Sequence, residues 1–579
     1  MKRFLFISII LISYFVFSSD IKAQSWINSF SPSFNALNVD ISSNITAQFK
    51  EPLDQTFLNT SSIRIWSNRF GYLDFIITYD DVSQTLTLDP INDFIVGDLV
   101  TVTFTTNIKN VSNENMPNPL SHQFFVTNFS NTATYQGSGN VSVVGDTYSI
   151  VTFDADNDGD LDLAVTNISA NLVTILKNSG TGKFTLMATV NVLSSPSKLA
   201  TGDFDSDGNV DLVVTMHLQN RIKILWNNNG AFVSSITPIE VGAWPEMVTT
   251  GDMDGDGDID IITANRDDGT LSICKNDGGG IFTISNTEYL GYLPRAATII
   301  DLENDGDFDL VSTNHYSNDF TTLTNDGNAS FTIKQNLRIG QTPQPTFAGD
   351  FDSDGFADLV IACQGADFIR FLKNDGTGLL EKHTRFFTGD NPASMTICDV
   401  DGDGDIDVAE NNIASGNFSI YLNDGSGSFS NSGTYNAGTT PSSITNGDFD
   451  GDGDLDLAVS LYGKVRIYKN LTTVGNLTIG EDPNLLPGKF RLDQNFPNPF
   501  NPSTSINFDL PVNANVRLSV FNSLAEEIAV LVDNEISAGT HSFNFNAENI
   551  SSGIYFYRIN VESENGDHWT ESKKMILMK

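Results

Sequence analysis

The chain has 579 residues, with 72 acidic against 31 basic side chains and a formal net charge of −41. That excess of acid excludes a nucleic-acid partner or an anionic membrane surface, since either needs a basic face to neutralise phosphate. It does not exclude folding, because 40% of residues are hydrophobic and 10% aromatic, enough for several packed domains. Lys2 and Arg3 open the chain, followed by an apolar run from Phe4 to Phe17 and a short polar region ending near Ala23. This is the pattern of a secretory signal peptide over residues 1–23, and the run is short for a membrane span. No later segment is long and apolar enough to cross a bilayer, so the mature chain is expected to carry no transmembrane segment. Cys274, Cys363 and Cys398 lie far apart in apolar runs and are expected to be buried thiols rather than a disulfide framework.

Residues 24–130 contain alternating runs such as "SSNITAQFKEPLD", "QTLTLDP" and "GDLVTVTFTTNIKN", separated by turn residues. About one hundred residues of this kind suit a β-sandwich. The "F-x-x-P-L-D" stretch from Phe49 to Asp54 and the "G-D-x-V-T-V" strand from Gly97 to Val102 resemble bacterial Ig-like domains. That resemblance implies an N-terminal sandwich, read here as a spacer.

At Asp154 the sequence "DADNDGDLDLAV" begins, and related stretches begin at Asp203, Asp252, Asp301, Asp350, Asp399 and Asp448, each 49 residues after the last. Pro196, Pro245, Pro294, Pro343, Pro392 and Pro441 keep the same step. A period in the forties marks a solenoid, a propeller or an array. Each acidic stretch leads into a β-branched run, a second run, an Asn/Asp/Gly turn and a Phe-led third run; a fourth strand precedes the acids. Four strands in each of seven repeats predict an all-β fold, a seven-bladed β-propeller over residues 131–472. A β-helix would need shorter rungs. The last repeat stops after "VRIYKN" without its outermost strand, whereas "ATYQGSGNV" from Ala133 to Val141 resembles "GTYNAG" of the seventh repeat. The early strand is expected to complete the last blade and lock the ring.

Numbered from the first aspartate, the loops carry acids at positions 1, 3, 5 and 9 and glycine at position 6. Position 1 is Asp154, Asp203, Asp252, Asp301, Asp350, Asp399 and Asp448; position 3 is Asp156, Asp205, Asp254, Glu303, Asp352, Asp401 and Asp450. Position 5 is Asp158, Asp207, Asp256, Asp305, Asp354, Asp403 and Asp452; position 9 is Asp162, Asp211, Asp260, Asp309, Asp358, Asp407 and Asp456. Position 7 varies (Asp160, Asn209, Asp258, Asp307, Phe356, Asp405 and Asp454), as expected if it offers its backbone carbonyl. Alternate carboxylates on a tight turn converge on one point, and hard oxygen ligands in this number suit Ca²⁺, at about seven structural sites. An EF-hand would need a glutamate at position 12 and flanking helices; only Glu410 matches, and the flanks are strands. Magnesium fits less well because it keeps its waters. The loops resemble the calcium-binding FG-GAP and VCBS repeats of integrin α-subunit propellers and bacterial surface proteins. The Phe-Gly and Gly-Ala-Pro tags of the integrin type are not evident, so the bacterial type is the nearer match. The resemblance implies that each loop joins the first two strands of a blade and that its calcium is structural.

A polar linker over 473–487 leads to "LDQNFPNPFNPSTSINFDLP", in which Pro497, Pro499 and Pro502 stiffen the entry to a further set of strand runs. Residues 488–579 resemble the C-terminal sorting domain of the type IX secretion system. That implies export by the type IX machinery through this domain, after passage through the periplasm, to the medium or the outer cell surface.

No zinc spacing arises among His122, His217, His315, His383, His541 and His568, and no nucleophile elbow, P-loop or catalytic-cysteine signature is present. An enzyme is therefore not the first expectation. Fourteen residues after each first aspartate lie Ile168, His217, Arg266, His315, Gln364, Ile413 and Tyr462. These should sit opposite the calcium loops, where the proline-marked turns add Trp244, Tyr292 and Arg295. Polar and aromatic groups gathered there suit an extracellular glycan or protein ligand. Three readings stay open: a calcium-stabilised binding or adhesion protein, an enzyme such as a polysaccharide lyase on a propeller scaffold, and a passive spacer.

Overall fold

The computed structural model describes residues 26–127, 133–471 apart from Leu193 and Glu288, 491–492, and most of 502–577. The expected signal peptide, the linker over 473–487 and the proline-rich entry at 493–500 lie outside the described residues. The chain divides into two compact units, Met1–Gly475 and Asn476–Lys579. Among the described residues there is no α-helix, only three short 3₁₀ turns between strands. The all-β expectation therefore holds.

The first unit opens with a sandwich. One sheet runs Ile27–Ser31, Ile45–Phe49, Thr85–Pro90, Phe75–Asp80; the other runs Ala36–Val39, Leu120–Val126, Leu99–Phe104, Ile63–Ser67, Gly71–Tyr72. Period-two patterns such as Ile45, Ala47 and Phe49 fill the space between them.

Seven further sheets follow, each with four strands in simple order; the second gains a two-residue strand, Ile239–Glu240. Their innermost strands touch in succession, and Thr147–Phe153 of the first meets Ser443–Gly447 of the seventh, so the ring closes. The second strand of each blade is buried at every position, as in Asp162–Asn167 and Asp211–Met216, because its two faces pack against the two neighbouring blades. Seven apolar clusters result, each drawn from adjacent blades. Cys274, Cys363 and Cys398 are buried, unpaired members of these clusters, as expected. The seventh sheet takes its outermost strand from Tyr135–Ser142, which pairs antiparallel with Lys464–Asn470. The early strand thus completes the last blade.

A second closure is made by side chains. At the end of each third strand stands an asparagine: Asn178, Asn227, Asn276, Asn325, Asn374, Asn423 and Asn470. Each donates from Nδ2 to the position-2 carbonyl of the preceding blade's acidic loop at 2.7–3.0 Å, and Asn178 carries the chain of bonds back to Phe449 of the seventh blade.

The sorting unit is a smaller sandwich. A sheet of Arg491–Leu492, Ser503–Leu510 and Gly539–Asn546 shares a core with one of Glu527–Ile536, Ala514–Asn522, Gly553–Ser563 and His568–Leu577.

Two consequences are measurable. Replacing Asn276 by Ala leaves the Phe204 and Ile259 carbonyls without their buried donor. The expected loss is about 1–3 kcal/mol in denaturant unfolding. Glu410 is fully buried, and neither carboxylate oxygen has a partner. Burial holds its pKa well above the usual carboxylate range. Such an acid adds no penalty below the unfolded-state pKa and an increasing one as pH rises above it. Glu410→Met should therefore stabilise the protein by about 1–3 kcal/mol at pH 8, with the gain fading towards pH 4 in a melting series.

Candidate metal centres and a candidate ligand face

Each acidic loop joins the innermost strand of its blade to the second, as from Thr147–Phe153 to Asp162–Asn167. Two left-handed residues fold it back. Position 4 has φ of 55–59° at Asn157, Ser206, Asn304 and Ser353 and 69–74° at Gly255, Gly402 and Gly451; position 6 glycine has φ of 87–101°. Asn and Gly tolerate that region, and only Gly does so freely. The position-1 carboxylate clamps the turn, accepting the position-6 N–H at 2.8–3.1 Å in all seven loops.

The position-9 aspartate is fully buried in every blade. One of its oxygens accepts the position-2 N–H at 2.8–3.3 Å. The other accepts the N–H of the third-strand asparagine at 2.6–2.8 Å. In the loops at Asp154, Asp203, Asp252, Asp350 and Asp399, one carboxylate oxygen from each of positions 1, 3 and 9 lies within 4.8 Å of the others. The position-5 aspartates stand outside these groups and accept the position-7 N–H instead, as Asp158 does from Asp160 at 3.1 Å.

Gathering carboxylates in a buried place is unfavourable while they are charged. Burial, reinforced by the neighbouring acids, pushes Asp162 up to about 7, Asp211 and Asp358 to about 8 and Asp456 to about 9. At position 1, Asp252 and Asp301 rise to about 8 for the same reasons. A cation fits this arrangement on one further observation: Asp156, Asp254, Asp352 and Asp450, all at position 3, each keep a buried Oδ1 without a hydrogen-bond partner. An ion among positions 1, 3 and 9 would satisfy those oxygens. In the same four loops the other position-3 oxygen pairs with a lysine: Lys177, Lys275, Lys373 or Lys469. These lysines were not singled out in the sequence, although each directly precedes its third-strand asparagine. The fourth loop differs, its Glu303 accepting from Lys334 at 2.9 Å.

At the far ends of the inner strands lies a second constellation. Glu246 accepts from Trp244 Nε1 at 2.9 Å and from Tyr148 Oη at 3.2 Å, and sits 3.6 Å from the Arg295 guanidinium. Tyr148 and Glu246 belong to the innermost strands of the first and third blades, so they meet past the inner strand of the second. The Arg266 guanidinium lies over the Trp244 ring at 4.6 Å, and the His217 ring is 4.8 Å from it. Lys198 Nζ lies over the Tyr148 ring at 4.8 Å. Trp244 is held at φ 57°, a strained value for a bulky residue. His315 lies 3.3 Å from Gln344, which donates to Gln364 at 2.8 Å. Burial, with Arg295 next, pushes His315 down to about 4; burial and Arg266 also lower His217. Both rings are therefore neutral at pH 7. Tyr292 touches Tyr289 and Tyr316 edge-on at 5.9 and 6.5 Å, and all three rings are largely exposed. Tyr462 is exposed at the corresponding turn of the seventh blade.

Of the residues expected on this face, His217 and Arg266 from the spacing and Trp244 and Arg295 from the proline-marked turns thus come together. Glu246, Tyr148, Lys198 and Gln344 were missed. A signal existed: Tyr148, Glu246, Arg295 and Gln344 all lie six residues before a first aspartate.

The FG-GAP-like repeat family matches residues 154–214, 203–263, 252–312, 301–361, 350–410 and 412–459, more than half of the chain. The bacterial Ig-like domain matches residues 22–130, and the secretion system C-terminal sorting domain matches 494–577. No curated protein matches by sequence. Among solved structures, BBS1N in complex with ARL6DN, soaked with lead, is similar at 12% identity and TM-score 0.45, over 59% of this chain and 98% of that one. A functionally unknown protein from Desulfotomaculum acetoxidans is similar at 12% identity and TM-score 0.40, over 59% of this chain and 94% of that one. Neither likeness carries a functional argument. The sorting domain indicates a protein exported to the cell surface or the medium. The chain belongs to the FG-GAP-like repeat proteins, with a bacterial Ig-like domain before its repeats and a secretion sorting domain after them.

Proposed function

We propose that this exported protein is a calcium-stabilised binding protein whose seven loops hold structural Ca²⁺ and whose opposite face takes an acidic extracellular saccharide. The calcium reading is supported by the clustered oxygens of positions 1, 3 and 9 and by the unpartnered position-3 oxygens. When bound, the ion supplies charge neutralisation and fixes the turn. Residues at positions 1, 3 and 9 would hold it, and the asparagine N–H groups orient the position-9 carboxylate.

The binding reading is carried by one observation, the meeting of Arg266, Arg295 and Lys198 around Trp244, Tyr148 and Glu246 at the mouth of the ring. Arg295 lies 3.6 Å from Glu246 and Arg266 3.6 Å from Asp267, with Lys198 over Tyr148 beside them, so cations gather here on a chain of net charge −41. Guanidinium groups suit carboxylate or sulfate. Neutral His217 and His315 and the amides of Gln344 and Gln364 offer both donors and acceptors, as sugar hydroxyls require. The exposed tyrosines provide stacking surface beside them.

Two outcomes test the parts separately. At free calcium ten times Kd each site contributes about 1.4 kcal/mol, so seven approach a domain's whole stability, on the order of 10 kcal/mol. Calorimetric melting should therefore show a large fall in Tm on adding EGTA, and an unchanged Tm rules calcium out. On a glycan array in calcium, uronate or sulfated glycans should bind in preference to neutral ones. Arg266→Ala with Arg295→Ala should lose at least about tenfold of that binding at unchanged Tm. Equal binding of neutral glycans overturns the charge argument, binding of acidic peptides alone points to a protein ligand, and cleavage of a bound polysaccharide would move the reading to a lyase.

A further inference from the structure

The Ig-like domain is no spacer held clear of the ring; it is seated on the calcium-loop side. In three successive loops the position-6 carbonyl accepts a hydrogen bond from it. Tyr72 Oη donates to Gly257 O at 2.5 Å, the Ser121 N–H to Gly306 O at 2.9 Å, and Asn35 Nδ2 to Gly355 O at 3.3 Å. In the first loop the direction reverses, and the Asp154 N–H donates to the Arg69 carbonyl at 2.9 Å. Arg64 lies 3.7 Å from Asp258, and Arg69 reaches Asn446 of the seventh blade.

The loop glycines record the same fit. A Cβ on Gly255 would lie 2.2 Å from Pro119, one on Gly306 2.8 Å from Leu120, and one on Gly404 1.9 Å from Asn38. On Gly159 and Gly208 it would meet nothing within 4 Å. There the glycine serves the turn alone; in the third, fourth and sixth loops its bareness also admits the Ig-like domain. Apolar side chains follow it in. Trp66 and Tyr72 pack with the cluster between the second and third blades, Leu37 and Phe125 with that between the fifth and sixth, and Phe70 with that between the seventh and first. A cavity of about 330 Å³ remains between the two, lined by Arg69, Asp98, Thr249, Thr298 and Asn446 among others.

We infer that the filled loops are the receptor for the Ig-like domain, so that calcium clamps this domain as a cap over one end of the ring. The inference rests on the calcium reading above. Its physical basis is that the docking groups are backbone carbonyls and bare glycines of the loops themselves. Their positions depend on a turn in which the acids of positions 1, 3 and 9 converge, and like charges about 4 Å apart repel by roughly 1–4 kcal/mol per pair unless a cation intervenes. Removing the ion spreads the turn and displaces the carbonyls of Gly257, Gly306 and Gly355 together. The coupling is reciprocal: a cap that prefers filled loops makes those loops hold calcium more tightly.

The test is hydrogen exchange on the full chain in calcium and in EGTA, with a calorimetric calcium titration of the same sample. EGTA should speed exchange at Ser121, Asp154 and the segment 64–72 by at least about tenfold more than at the second-strand amides 212–215, within the range of allosteric couplings. The double variant Tyr72→Phe, Asn35→Ala, altered only on the Ig-like side, should free the same amides in saturating calcium and weaken part of the calcium binding about fivefold. Measured calcium binding with unchanged exchange at Ser121 and Asp154 overturns the inference. So does an equal gain in exchange at 212–215, since the cap would then loosen only together with the whole ring. A titration without any binding overturns the calcium reading itself and the clamp with it.

Discussion

Everything in the ring converges on the ninth loop position. Asp162 and its six counterparts are buried carboxylates, each accepting one N–H from its own loop and one from the third strand of its own blade. The same third-strand asparagine then bonds the loop of the preceding blade. Loop, blade and neighbour are thus tied through one acid and one amide, seven times over. The arrangement is favourable only if the charge beside it, from positions 1 and 3, is answered. Two answers are open to the chain: a cation among positions 1, 3 and 9, as proposed above, and in four loops a lysine. Lys177, Lys275, Lys373 and Lys469 serve the first, third, fifth and seventh blades; Trp226, Thr324 and Leu422 stand in their place in the second, fourth and sixth. The seven loops therefore share a backbone but not an electrostatic environment.

Much of this is legible in the sequence alone. The 49-residue step of Asp154 to Asp448, echoed by Pro196 to Pro441, carries the blade count because identical units must stack in identical ways. The kinship of "ATYQGSGNV" with "GTYNAG" disclosed the closing strand, since both do the same job in their blades. The loop acids were visible through their alternation. The asparagine ring was equally periodic, 24 residues after the first aspartate in six repeats, yet an asparagine at a strand end reads as an ordinary turn residue until its partner in the next blade is seen.

What could not be read was non-repetitive. The seat of the Ig-like domain joins a single-copy domain to a seven-fold ring, so no period announces it; Pro119 and Asn38 carry no mark of the glycines they lie against. The candidate ligand face lies between these cases. Spacing picked out His217, Arg266 and His315, but Glu246, which organises Trp244, Tyr148 and Arg295, belongs to a different offset and is recognised only when the inner strands are brought to a common axis.

The closing strand has a consequence for assembly. The Thr134 N–H bonds Asn470 Oδ1 across 336 residues of sequence, and Tyr135 lies opposite Asn470. The first propeller strand must therefore wait, unpaired, until the last has been made and the six blades between have formed. Such distant pairing is slow to find, and the entropy of bringing the ends together is lost in one step rather than blade by blade. During that wait the early strand stands just after the Ig-like sandwich, which has all its own strands in hand and offers the nascent blades a finished surface on which to line up.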